Sequence, residues 1–338
     1  MMRLQKFDYL SPLTVEEVCA ALDQFGPGGR IMAGGTDLLS AAKLRNIQPT
    51  HIIGLKAIDE LRGIVYQEEE GLKIGALASL HQVRNHPIVR VSYHALAQAA
   101  AAVGSPQIQR MGTLGGNLCL NTRCYFYNQS SGWRKHRPVC LKMGGEVCHV
   151  VPKGRRCQAV FSADTPAALI ALDAKVKLAS CQGIRRISVR DLYTGDGKEP
   201  IALHPGEILT EIQLPPMRQQ VSVYLKYRIR KSIDFPLVGI AAAVLRGRER
   251  SCDRATIALT GVGPAPVEIS EAGAFLRDSI LSDEVIKKTA GMAVQAAHPV
   301  ANIGSTPTHR RKMAGLLTRK ALDELAKAMA SGGGKGAG

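Results

Sequence analysis

Apolar positions along the chain fall into two periods, and the switches between them outline the elements. Val15 to Phe25 has helical spacing, is capped by Thr14, carries Glu16 and Glu17 in its first turn, and is stopped by Gly26 to Gly29. Phe7 to Tyr9 and Arg30 to Ala33 read as short strands, and Gly34, Gly35 and Thr36 then turn the chain into a helix from Asp37 to about Arg45. Such alternation predicts an α/β unit. His51 to Leu55 and Gly71 to Ile74 are further strands, Ser79 to Asn85 and Ala95 to Val103 are helices, and Pro106 to Gly116 is a glycine-rich loop. Beyond the cysteine-rich stretch, Asp164 to Leu172 is helical, and Lys175 to Ala179 and Ile208 to Leu214 are strands, the second closed by Pro215 and Pro216. Val221 to Arg230 alternates as a strand does, Leu237 to Leu245 is a long apolar strand, and Ile257 to Gly261 is a third. Helices over Asp283 to Ala297 and Thr308 to about Ala330 precede a Gly-rich tail, residues 331–338.

A chain of 338 residues exceeds what one core serves well, so more than one domain is expected. The divisions fall at 1–220, itself split into 1–55 and 56–220, then 221–330 and the tail. Hydrophobic residues make up 45% and charged residues 21%, which excludes a disordered or collagenous chain. The apolar run Phe235 to Leu245 is too short to span a bilayer, and the N-terminal stretch lacks a signal peptide's apolar core. The expected compartment is the cytoplasm, where clustered cysteines read as metal ligands or catalysts before disulfides.

The formal charge of +16 implies anionic partners without choosing among nucleic acid, phosphate-bearing cofactors and acidic proteins. Between residues 123 and 157 the bases are Arg123, Arg134, Lys135, Arg137, Lys142, Lys153, Arg155 and Arg156, against the single acid Glu146. Most of the chain's eight cysteines cluster in and beside the same stretch, so an anionic thiolate centre and a solvated basic loop both account for its charge. Cys19, Cys181 and Cys252 stand alone and read as small buried hydrophobes.

Two glycine loops carry candidate chemistry. In Ala33-Gly34-Gly35-Thr36-Asp37-Leu38 the glycines allow a ligand close to the backbone amides, a fitting place for a diphosphate, although ordinary tight turns look the same. Thr113-Leu114-Gly115-Gly116-Asn117 repeats the pattern, with a hydroxyl and an amide beside paired glycines. Neither loop has the spacing of a Rossmann dinucleotide fingerprint or of a P-loop. A flavin dinucleotide in a different fold fits better than NAD or ATP.

With these loops the sequence resembles a known family. AGGTDLL, IGALASL from Ile74, and GTLGGNL are similar to the signatures of FAD-binding subunits of molybdenum hydroxylases, the family of xanthine dehydrogenase and carbon monoxide dehydrogenase medium subunits. Weaker matches, Asp164 with the PAALIALDA after it and Lys226 to Asp234, extend the resemblance over nearly the whole chain. It implies an α+β protein: a non-Rossmann FAD-binding fold of two α/β subdomains, followed by a C-terminal α+β domain. It carries FAD binding onto Ala33, Gly34, Gly35, Thr36, Asp37, Leu38, Ile74, Thr113, Gly115, Gly116, Asn117 and Asp164. Tyr193 fits the family's paired-aromatic position only loosely.

Residues 123–162 form an insertion relative to most such subunits. Cys124, Cys140, Cys148 and Cys157 lie 16, 8 and 9 positions apart, without the two-residue interval of zinc knuckles or a ferredoxin run. The spacing leaves zinc and an iron–sulfur cluster open, with Cys119 or His149 as possible substitutes. Tyr125, Phe126, Tyr127 and Trp133 crowd beside them, as a water-excluding shell or as docking residues. The insertion, with RC-aromatic-YNQS, CLK, CHV and RC in that order, resembles the one in β subunits of 4-hydroxybenzoyl-CoA reductases. The resemblance implies a [4Fe–4S] cluster on Cys124, Cys140, Cys148 and Cys157.

The resemblance also implies an electron-transfer subunit, with no substrate-transforming residues of its own. Electrons from a ferredoxin would pass by the cluster and FAD to [2Fe–2S] centres in a small subunit and molybdopterin in a large one, for reductive removal of an aromatic acyl-CoA hydroxyl. The alternatives are a flavin subunit of another molybdenum hydroxylase and, from a different class, a zinc-containing nucleic-acid-binding protein. Because the glycine loops and the insertion are separate stretches, the cluster and flavin sites are expected to be independent. Gly115 is expected to leave room for the diphosphate.

Overall fold

The computed structural model describes residues 3–216 and 219–331, and the expected tail lies outside them apart from Ser331. Three sheets organise the chain.

The first holds β1 (Asp8–Leu10), β2 (Gly29–Met32) and β3 (His51–Gly54), all parallel, in the order β1-β3-β2. Helix α1 (Val15–Phe25) joins β1 to β2 and α2 (Leu38–Lys43) joins β2 to β3. Thr14 caps α1 by accepting the Glu17 N–H at 3.2 Å, and Gly26 ends it at φ 46°. Val15, Val18 and Cys19 of α1 are buried with Ile53, Leu55 and Leu61, so Cys19, like Cys252, is the small hydrophobe expected, whereas Cys181, in the turn between β6 and β7, is exposed and corrects that expectation.

The second sheet runs β4-β5-β8-β6-β7 and is antiparallel throughout: β4 (Ile64–Gln67), β5 (Gly71–Gly75), β6 (Lys175–Ser180), β7 (Gly183–Ser188) and β8 (Ile208–Leu214). The expected second α/β subdomain is therefore corrected to an α+β arrangement. β4 and β5, like β6 and β7, are joined by tight turns, which permit only antiparallel pairing. Between β5 and β6 come α3 (Leu80–Asn85), α4 (Pro87–Ser92), α5 (His94–Ala102), α6 (Pro106–Met111), α7 (Leu114–Leu118), the short α8 (Ser131–Arg134) and α9 (Thr165–Ala171). The stretch expected to be a loop thus contains α6 and most of the first turn of α7. Ser105 caps α6, Pro106 occupies its first position, and Thr113 caps α7 at 3.0 Å from the Gly116 N–H, local signals that outweigh the glycines.

The third sheet, β12-β11-β10-β9, is antiparallel: β9 (Gln220–Tyr227), β10 (Val238–Arg246), β11 (Cys252–Thr260) and β12 (Val267–Glu268). Both faces are covered. Ile240, Ala242, Val244, Ile257 and Leu259 face α10 (Ser270–Leu276), α11 (Asp283–Ala296) and α12 (Pro307–Ser331), while Tyr224, Ala241, Ala243 and Ala258 join the core of the second sheet's helices. This double burial explains why β10 reads as an unbroken apolar run. Burying a branched side chain there contributes about 1.5–3 kcal/mol. No helix among the described residues is long and apolar enough to cross a membrane.

Candidate functional site

The two glycine loops meet. Ser79 bridges to Thr113, Leu80 N–H donates to the Gly112 carbonyl at 2.9 Å, and Gly115 N–H donates to the Ala76 carbonyl at 3.0 Å. A Cβ built on Gly34 would overlap the Met111 carbonyl, so the first loop packs backbone to backbone on the second. Gly35, at φ 71°, is the turn residue that needs glycine.

Beside this junction opens a cleft of about 490 Å³, lined by Ala33, Gly34, Leu77, Thr113 and Ser79, with Lys56, Arg62 and Arg110 as its cations. Glycine backbone, hydroxyls and three bases form a donor set matched to a diphosphate. The three bases carry little signal in the sequence, and they are absent from the residues expected to bind flavin.

The other predicted flavin residues take different places. Thr36, Asp37 and Leu38 lead into α2 beyond the cleft wall. Ile74 is fully buried between Ile64 and Ile212 in the second sheet, so its side chain serves the core. A Cβ on Gly115 would lie 2.8 Å from that of Ala76, so this glycine permits the close approach of residue 76. Asn117 accepts the Thr165 N–H at 3.2 Å and hydroxyl at 2.7 Å, tying the second loop to the start of α9.

Asp164, just before α9, is buried and accepts hydrogen bonds from the Tyr224 hydroxyl at 2.6 Å and from the Lys226 ammonium at 3.0 Å. Burial pushes its carboxyl up and the Lys226 ammonium down, and their mutual attraction opposes both shifts. The pair bolts the third sheet to the start of α9. Tyr193 is half-buried, edge-on to Phe161 at 4.8 Å, and donates to the Leu118 carbonyl at 3.2 Å.

The insertion brings its four widely spaced cysteines to one cavity, which Cys124, Cys140, Cys148 and Cys157 line together with Phe126, Tyr127 and His149. All are free thiols. Burial raises the Cys124 and Cys157 thiols, and backbone N–H groups of Phe126 and Tyr127 on the first, and of Ala159 on the second, work the other way. Val151 N–H donates to the Cys148 sulfur at 3.4 Å. Cys119 is not part of the cavity wall, and burial pushes its thiol to about 12. Among the described residues, no three His, Cys, Asp or Glu side chains approach closely enough to hold a single metal ion.

Three of the eight bases turn inward. The Lys142 ammonium donates to Asn121 at 2.8 Å, to Thr122 at 2.7 Å and to the Gly197 carbonyl, and burial lowers it to about 8. Arg123 pairs with Asp37, and Arg134 donates to the Asn46 side chain at 2.7 Å and the Arg45 carbonyl at 2.9 Å. Lys135, Arg137, Lys153, Arg155 and Arg156 are exposed, so most of the local charge faces solvent.

Residues 5–217 match the model of the FAD binding domain in molybdopterin dehydrogenase, and residues 223–325 that of the CO dehydrogenase flavoprotein C-terminal domain. The chain belongs to the molybdenum hydroxylase FAD-binding subunit family. It is similar to the aldehyde oxidoreductase FAD-binding subunit PaoB of Escherichia coli (strain K12), 35% identical over 74% of this chain and 80% of that one. It is 28% identical to the carbon monoxide dehydrogenase medium chain of Afipia carboxidovorans over 96% and 98% of the two chains. A crystal structure of Cu,Mo-CO dehydrogenase superposes with a TM-score of 0.80 at 27% identity, covering 97% of this chain and all of that one. This molybdenum hydroxylase subunit is thus an FAD-binding oxidoreductase component whose fold matches that structure over both matched regions.

Proposed function

We propose that this chain is the electron-transfer subunit of a molybdenum hydroxylase and holds both FAD and a [4Fe–4S] cluster. The observation that carries the reading is the convergence of Cys124, Cys140, Cys148 and Cys157 on one cavity in a chain of the FAD-binding family. FAD, when bound, supplies the exchange between two-electron and one-electron chemistry, and the cluster supplies one-electron steps. The protein's part is placement. Lys56, Arg62 and Arg110 offset the diphosphate charge, the glycine loops bring backbone to the cleft, and the four thiols with their N–H donors ligate and tune the cluster.

The resemblance of the insertion favours a cluster over zinc. One tetrahedral zinc needs thiolates about 3.8 Å apart, given Zn–S bonds of about 2.3 Å. In a four-iron cluster each thiolate binds a different iron, so the ligands stand wider apart, and four thiols that line one cavity supply the number it needs. We place domain limits at 1–220 and 221–330, a division that family matches over residues 5–217 and 223–325 support, and partners would be a molybdopterin-containing large subunit and a [2Fe–2S] small subunit.

Relatives name carbon monoxide, nicotinate and aldehydes, so the broad reading leaves the holoenzyme's substrate to its large subunit. A second, narrower reading, reductive dehydroxylation of an aromatic acyl-CoA with a ferredoxin as donor, is favoured by the cysteine insertion alone. Electron paramagnetic resonance of the anaerobically purified, dithionite-reduced chain tests the proposal. A cluster signal present in the wild type and absent in Cys140→Ser supports it, and a spectrum unchanged by Cys140→Ser sinks the ligand assignment.

A further inference from the structure

The insertion and the first glycine loop are joined through a single short helix. At one end of α2, Arg123 forms an ion pair with Asp37, the residue that leads from the glycine loop into the helix. At the other end, Arg134 donates to the carbonyls of Leu44 and Arg45 at 3.3 and 2.9 Å and to the Asn46 side chain at 2.7 Å. Asn46 in turn donates to the Tyr127 carbonyl at 2.9 Å, inside the cysteine cavity's wall. Both arginines belong to the insertion, so α2 is gripped by it at both ends.

Arg123 occupies the central place. It directly precedes Cys124, and its backbone exchanges two hydrogen bonds of 2.7 Å with Val160, close to Cys157. Its guanidinium lies 4.8 Å from the centre of the ring of Phe235, which belongs to the connection between β9 and β10. Its Nε is buried and has no hydrogen-bond partner, which shows that the side chain is held by this junction at the cost of one unmet donor. Arg123 and Asp37 are both mostly shielded from solvent, with 20% and 28% of their side chains exposed, so the pair is screened less than a surface pair.

We propose that Arg123 is a positioning residue that links occupancy of the four-cysteine site to FAD affinity. Ordering of Cys124 and Cys157 around a cluster fixes the backbone of Arg123, and Arg123 holds Asp37 and hence the loop Gly34-Gly35-Thr36 against the second glycine loop. By linkage the effect is reciprocal: bound FAD stabilises the cluster site to the same extent. This rests on the cluster reading above, and it replaces the independence expected from two separate stretches of sequence.

The test measures the FAD dissociation constant of the full chain in two forms, cluster-loaded and stripped of iron by chelation, by quenching of flavin fluorescence. Iron is assayed in each form. In the wild type, FAD binds at least about fivefold more tightly to the loaded form, the low end of usual coupling strengths. Arg123→Gln keeps its iron but brings the ratio close to one, and Arg123→Lys, which restores the charge, regains part of it. Asp37→Asn cuts the same link from the other side and also abolishes the ratio, which covers the event that Arg123→Gln does not fold. A wild-type chain that binds iron yet shows equal affinities in both forms overturns the linkage alone, as does a full ratio in both Arg123→Gln and Asp37→Asn. A wild-type chain that takes up no iron overturns the cluster reading itself.

Discussion

Gly34 lies against the carbonyl oxygen of Met111 with no room for a side chain between them. The two glycine loops, nearly eighty residues apart in sequence, form one wall of the cationic cleft because of this contact. Gly34→Ala forces them apart at a well-packed point, which costs about 1–3 kcal/mol. Flavin retained per folded chain is expected to fall, with FAD bound about tenfold more weakly. The flavin-to-protein absorbance ratio after gel filtration checks this, with circular dichroism to confirm folding. By contrast, Gly115→Ala presses on Ala76 and is expected to lower the melting temperature first and flavin content second.

Asn302, in the connection between α11 and α12, holds the insertion. Its carbonyl accepts the Tyr125 N–H at 2.7 Å, its amide donates to the Gln158 carbonyl, and its side-chain oxygen lies 3.4 Å from the fully buried Arg310 guanidinium. It thus touches residues adjacent to both Cys124 and Cys157. Asn302→Ala keeps the backbone contact but frees the Gln158 side, and is expected to lower iron content while costing about 1–3 kcal/mol of stability for the unmet buried groups. Iron assay together with denaturant unfolding measures both.

Glu207 supplies an acid-side limit to stability. It receives hydrogen bonds from Arg185 at 2.5 and 2.7 Å and from the His204 N–H at 2.7 Å, and these, Arg185 foremost, hold its carboxyl below the usual carboxylate range. A depressed folded value means the contribution is complete above the unfolded value of about 4.3 and is lost as pH falls through the folded one. Removing it is expected to cost about 1–3 kcal/mol at neutral pH. Thermal unfolding of Glu207→Gln should therefore lie below wild type at pH 7 and converge with it in acid; a constant difference across that range contradicts the assignment.

Lys142 is the inward base nearest the thiols and lines their cavity. If the four thiols hold the proposed cluster, Lys142→Met removes a buried positive charge beside it, and the oxidised, less negative state gains relative to the reduced one. The midpoint potential is expected to drop on the order of 100 mV, as a unit charge at an effective dielectric of about 20 implies. A redox titration followed by electron paramagnetic resonance reads it, and the flavin potential serves as the internal reference.

Much of the fold is legible in the sequence because its signals are local. Thr14 ahead of Glu16 and Glu17, the Gly26 stop, and the long helices α11 and α12 follow from capping and spacing within a few residues. The edge strands β4 and β7 escape such a reading: β4 is only four residues long, and in β7 Arg185 and Arg186 break the alternation that marks a strand. β11 begins five residues ahead of the expected Ile257, because Asp253 and Arg254 mask its start. At the site, glycine pairs announce the loops, but what each glycine faces depends on partners distant in sequence. Gly34 meets Met111 and Gly115 meets Ala76, and Lys56, Arg62 and Arg110 converge only through the fold. The link between Arg123 and Asp37 spans 86 residues and leaves no local trace.

Iron, acid-labile sulfide and flavin, quantified together on the anaerobically purified full chain, test the central claim most directly. The expected result is about four iron and four sulfide per chain beside one FAD, with the iron and sulfide lost in Cys124→Ser and Cys157→Ser. A chain that carries flavin with zinc, or flavin with no metal, would contradict it.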